Sequence, residues 1–136
     1  MAMTIVEGTR AITGGVDTHL EVHVAAALDP TGGLLGVREF RTSQAGEHEL
    51  LAWLTGLGPV ERVGVEGTGS YGASLGRFLA AAGAAVVEVD RPNRQARHRR
   101  GKSDPVDAVE AARAAQGGRA TGAAKSRDGN VEAIRA

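Results

Sequence analysis

The sequence predicts an α/β domain built on a mixed sheet of about five strands. Three observations lead there. Three short runs of alternating or β-branched residues precede any helical periodicity. Helical and strand-like segments then alternate, and glycine or proline punctuates nearly every junction.

Residues Ile12 to Asp17 form the first run. In the second, Val22 to Leu28, the residues Val22, Val24, Ala26 and Leu28 share one side, opposite Glu21, His23 and Ala25. DPTGG (Asp29 to Gly33) is a strong turn signal, and LLGVREFR after it is a third strand, so the chain begins as an antiparallel meander. Ser43 is placed to cap a helix from about Gln44 to Leu57, where Leu50, Leu54 and Leu57 make an apolar stripe with Trp53 beside it. Gly58 and Pro59 stop that helix. A fourth strand spans Glu61 to Glu66. From about Tyr71 to Ala82, Leu75, Phe78, Leu79 and Ala82 recur at helical spacing, Gly83 ends the run, and Ala84 to Asp90 is a fifth strand. Asp104 to Gln116 is a helix with Pro105 in its first turn. The order is βββαβαβα, with no internal repeat.

Composition narrows the function classes. A chain of 136 residues buries roughly two-thirds of its unfolded surface, enough for one ordinary core. That core must be made of Ala, Val and Leu, because only four residues are aromatic. Zero net charge leaves no global field for nucleic acid, so any such signal has to be local. The absence of cysteine excludes disulfides and thiolate metal sites. No apolar run approaches the roughly 18 residues that cross a bilayer, and the first residues lack the order of a signal peptide. The expectation is a cytoplasmic protein with no membrane partner.

Four acids stand at the ends of elements. Asp17 closes the first strand, Glu66 closes the fourth, and Asp104 and Asp107 open the last helix on nearby faces. In this strand order the first and fourth strands are neighbours, so Asp17 and Glu66 can meet. A carboxylate pair at about 4 Å repels by roughly 4 kcal/mol at an effective dielectric near 20. Hard oxygen donors of this kind select Mg²⁺ or Mn²⁺, and metal ions so held suit phosphodiester displacement. Ser103-Asp104-Pro105 is equally a good helix opening, with acids facing the helix dipole. His19 and His23 have alternate strand spacing and could ligate a metal, although exposed strand positions are the commoner use of such residues. Arg91, Arg94, Arg97, Arg99, Arg100 and Lys102 form a run without an intervening acid. Such a run would grip phosphate oxygens without sequence preference, and Tyr71 is the one aromatic placed to stack on a base.

GTGSYG (Gly67 to Gly72) matches the dinucleotide fingerprint G-x-G-x-x-G, with Asp90 near where a ribose-binding acid would sit. Against that alternative, Glu66 puts a carboxylate where a pyrophosphate should approach, and the strand before the glycines does not begin a βαβ unit.

GVDTH, AALD, VGVEGTGSYG, VEVDRPNRQARHRRGKSDPVDA and KSRDGNVEAIRA together resemble one family over about Thr13 to Ala136, the IS110-type insertion-sequence transposases. Leu20 stands where that family often carries lysine. The resemblance implies an RuvC-like, ribonuclease-H-like domain in residues 1–116 whose DEDD acids are Asp17, Glu66, Asp104 and Asp107, catalytic residues that bind Mg²⁺ or Mn²⁺. It implies DNA and a structured guide RNA (the bridge RNA) as partners, met by Arg94, Arg97, Arg99, Arg100 and Lys102, and assembly as a homo-oligomer or with full-length transposase. Residues 117–136 then read as a linker and the start of a truncated helix. Longer members continue into a second domain with a nucleophilic serine, so this chain alone is not expected to complete transposition. A non-catalytic nucleic-acid-binding or inhibitory fragment is the alternative of a different class.

Overall fold

The computed structural model describes residues 10–67, 71–89 and 104–118, with Asp104 described by its backbone. The element order is β1 (Ile12–Asp17), β2 (Val22–Leu28), β3 (Leu34–Arg41), α1 (Gln44–Leu57), β4 (Val60–Glu66), α2 (Ala73–Ala81), β5 (Ala85–Val89) and α3 (Asp104–Gly117). The five strands form one sheet in the order β3-β2-β1-β4-β5. The first three pair antiparallel as expected, while β4 runs parallel to β1 and β5 parallel to β4. This is the ribonuclease-H-like arrangement that the resemblance implies.

Local chemistry explains the boundaries. Asp29 Oδ1 accepts the backbone N–H groups of Thr31 and Gly33 at 2.9 and 2.8 Å, which closes the β2–β3 turn. Ser43 caps α1 by accepting the Gly46 N–H at 3.0 Å, and Gly58 ends that helix at φ +156°, where a side chain would strain the backbone. α2 begins two residues later than the periodicity suggests, because Gly72 is its N-cap. Asp90 lies outside the described residues.

The two faces of the sheet are packed differently. On one face Ile12, Val16, Val63 and Val65 meet Leu50 and Leu54 of α1 and Leu75 and Leu79 of α2, a core of interlocking branched side chains. Two positions of the predicted stripes fall outside it: Leu57, the last residue of α1, is 38 % exposed, and Ala82, the C-cap of α2, is exposed. The opposite face carries Val24 and Ala26 under Ala108 of α3. There the contact is nearly backbone to backbone. A methyl group at Gly15 would overlap the Ala112 nitrogen and the Ala108 carbonyl, and one at Gly64 would stand 2.5 Å from the Ala111 carbonyl oxygen.

Those contacts give the direction of α3. The Arg62 guanidinium donates to the Ala115 carbonyl at 3.3 Å, Gly64 faces Ala111, and Gly15 faces Ala108 and Ala112. The helix therefore runs antiparallel to β1 and β4, retreating about one turn for every two strand residues. Its first turns come level with the carboxyl ends of those strands.

Gly15→Ala and Gly64→Ala should each destabilise the domain by about 1–3 kcal/mol through overpacking. Gly14→Ala should cost less, since its methyl would meet the flexible end of Leu54 at 3.2 Å. Urea unfolding of the three variants tests this, and equal losses would contradict the backbone contact.

Candidate functional site

Asp17 and Glu66 are the last residues of parallel neighbours β1 and β4, and they stand in register. Strand alternation puts both on the α3 face, two residues beyond Gly15 and Gly64. Both are buried, Asp17 at 1 % and Glu66 at 7 % exposure, and Asp107 at the end of the first turn of α3 is buried at 6 %. The turn that carries Asp107 and Ala108 follows the Gly15 contact toward the carboxyl ends of the strands, so this acid approaches the same end of the sheet. Asp104 is the first residue of α3. Among the described residues, no group of three or more His, Asp and Glu side chains is gathered closely enough to hold a metal ion.

The pair is electrostatically frustrated. Burial, together with a hydrogen bond between the two carboxyl groups, pushes Asp17 up to about 7, against the opposing pull of His19. Asp17 therefore holds its proton well above the usual carboxylate range. The His19 Nε2 lies 2.9 Å from Asp17 Oδ2.

The loop beyond the acids is tied down. Thr18 Oγ1 donates to the Glu66 carbonyl at 2.6 Å, joining the ends of β1 and β4 past the acid pair. Gly67 follows at φ +88°, and any side chain there would overlap Thr18 Oγ1. The Gly72 N–H returns to the Gly67 carbonyl at 2.8 Å. Gly67 and Gly72 of the glycine motif thus frame the turn out of β4 directly behind Glu66. Gly69 is outside the described residues. Tyr71 is exposed at the edge of this turn.

The two histidines separate. His19 lies on the acid side, but His23 is fully buried on the opposite face, near Glu47 of α1. The expectation of an exposed strand position for His23 is corrected, because β2 is interior and covered on both faces. Burial holds the His23 imidazole below its usual value, and its Nδ1 accepts the His19 N–H at 3.3 Å. Sequence reasoning missed Thr18, whose role depends on a partner 48 residues away and has no local signal. Arg94, Arg97, Arg99, Arg100 and Lys102 fall outside the described residues.

An acid whose folded pKa is raised is ionised first in the unfolded chain. Asp17 should therefore lower stability progressively as pH rises from about 4 to 7, by an upper bound of about 4 kcal/mol. Asp17→Asn should remove that decline and leave a more stable protein at pH 8. The difference between the two melting curves across pH isolates Asp17 from His23, which loses stability in the opposite direction, as pH falls below about 6.5. A pH-independent difference would refute the raised Asp17.

Compared with known protein families, residues 14–136 match the model of the IS110-type DEDD transposases, whose description is simply transposase. None of the curated proteins compared with the chain matches it. Among the described residues no helix is long and apolar enough to cross a membrane.

Proposed function

The chain belongs to the IS110-type DEDD transposase family, and we propose that residues 1–116 are its metal-dependent nucleic-acid-processing domain. The observation that carries this reading is the buried, in-register pair Asp17 and Glu66, with the start of α3 brought to the same end of the sheet. Two buried, hydrogen-bonded carboxyl groups are a donor set that suits a hard divalent cation, which can displace the proton Asp17 holds.

In this reading Asp17, Glu66, Asp104 and Asp107 hold Mg²⁺ or Mn²⁺. When bound, such a cation supplies Lewis-acid stabilisation of charge on a phosphodiester and activation of a nucleophile. The chain's own contribution is positional. β1 and β4 fix two acids to adjacent backbones, α3 carries the other two, and the Thr18 bond to Glu66 keeps the strand ends together. Burial of Asp17, Glu66 and Asp107 keeps competing water away from them.

Arg94, Arg97, Arg99, Arg100 and Lys102 are proposed to hold the backbone of DNA and of a structured guide RNA. They immediately precede the α3 acids in the chain, which favours a phosphate path ending at the acids. Assembly with further copies or with full-length transposase, and the division at residue 117 into domain and linker, belong to the same proposal.

Titration calorimetry with Mn²⁺ is the direct test. The wild type should bind, and Asp17→Asn, Glu66→Gln, Asp104→Asn and Asp107→Asn should each weaken binding sharply. Undiminished binding in Asp104→Asn and Asp107→Asn would leave these two acids as helix-opening residues only. Replacing Arg97, Arg99 and Arg100 with Ala should lower affinity for duplex DNA and for RNA. On the duplex the salt dependence should become shallower, by roughly 0.9 in log–log slope for each phosphate no longer neutralised. An unchanged salt slope would sink the assignment of the basic run.

A further inference from the structure

Two residues beyond Asp17, His19 leaves the strand and turns back. Its Nε2 stands 2.9 Å from Asp17 Oδ2, and the imidazole is 43 % exposed while the carboxyl it touches is 2 % exposed. An exposed imidazole on a buried carboxyl loses orientational freedom only if its backbone is held, and this one is held from several sides. The His19 N–H donates to His23 Nδ1 at 3.3 Å, and the His19 carbonyl accepts from Thr42 Oγ1 at 2.9 Å. The preceding residue, Thr18, is anchored to the Glu66 carbonyl.

The His23 end of this clamp is costly. With Nδ1 accepting a backbone N–H, the proton of the neutral ring sits on Nε2. That nitrogen is buried and finds no hydrogen-bond partner among the described residues. A buried unsatisfied donor calls for a compensating role. Here His23 Nδ1, with Thr42 Oγ1 also 3.5 Å from it, fixes the backbone of the residue that reaches Asp17. An aliphatic side chain of similar size would fill the same space without the orphaned nitrogen, but it would not hold His19.

We propose that His19 is a positioning residue for the acid pair, held by a clamp of buried His23 and half-buried Thr42, and that it fixes the rotation of the Asp17 carboxyl. With its proton on Nε2 the ring donates to Oδ2, so the two oxygens of Asp17 cease to be interchangeable and the carboxyl is oriented before a cation arrives. This rests on the reading of Asp17 and Glu66 as divalent-cation ligands. Partners of that kind, one step behind a ligand, typically change metal affinity by about 10–100-fold.

The test uses the full chain and Mn²⁺ alone. Calorimetry on His19→Ala should show about tenfold or greater weakening, while His19→Gln, whose amide nitrogen reaches about where Nε2 lies, should recover most of the affinity. Unchanged binding in His19→Ala, or equal weakening in both variants, would overturn the proposal. Metal-free melting of His19→Ala, Asp17→Asn and the double variant provides a readout that needs no cation. The shifts should be non-additive, because the two side chains share one bond. Should the wild type bind no Mn²⁺, the cation reading of the acid pair fails by itself. Non-additive melting would then still support His19 as the group that orients Asp17, and additive shifts would overturn it.

Discussion

The closeness with which α3 lies on β1 and β4 governs the arrangement of everything on that face of the sheet. A helix that packs through branched side chains can slide or rotate by fractions of a turn while those side chains change rotamer. One that meets strand backbone at Gly15 and Gly64 through its own Ala108, Ala111 and Ala112 has no such slack. The glycines are therefore positional instruments more than sources of flexibility. Because they sit two residues before Asp17 and Glu66, the same contact that sets the height of the helix also sets which of its turns arrives at the acids. The far end is secured separately, by Arg113 and Gln116 donating to the carbonyls of Gly32 and Asp29 in the β2–β3 turn.

The opposite face tolerates more. Its core of Leu, Ile, Val and Phe meets two helices and carries the larger share of the apolar burial. This division lets stability be concentrated on one side while the other is given over to placement. Acids in register on adjacent strands, about 4.8 Å apart, would repel strongly if both were ionised. Burial beside Glu66 raises Asp17 above the usual carboxylate range and makes the acid pair a local source of instability that the Leu-rich face has to offset.

Much of this could be read from the residues. Element order followed from the change of period between segments, and the proximity of Asp17 to Glu66 followed from the adjacency of first and fourth strands that this order dictates. α1 was legible to its terminal residues because Ser43 and Gly58 mark both ends. The clamp was not. VHVAAAL alternates, but alanine fits either a covered or an open face, so the string does not say that β2 is buried on both sides. His23 could be recognised as buried only once α1 and α3 were both seen to cover the strand. Gly15 and Gly64 carried no local signal either, since a strand glycine reads as weakness until the backbone pressed against it is known.

Capping the helix and joining a site are competing uses for the acids of α3, and burial separates them. A first-turn carboxylate that serves only the helix dipole gains about 0.3–1 kcal/mol and keeps most of that while hydrated, as the neighbouring positions Pro105 and Val106 are exposed. Asp107 is instead buried, on the flank of the helix that the glycine contacts press against the sheet. Burial of an acid is unfavourable unless something compensates. The positive end of the α3 dipole points toward Asp17 and Glu66 and eases their repulsion, but by less than the roughly 4 kcal/mol that one ionised pair at about 4 Å represents. Protons can cover the difference at low pH, and in the proposed function a divalent cation covers it at physiological pH. Helix capping alone accounts for an acid at the start of α3, but not for one driven into the sheet.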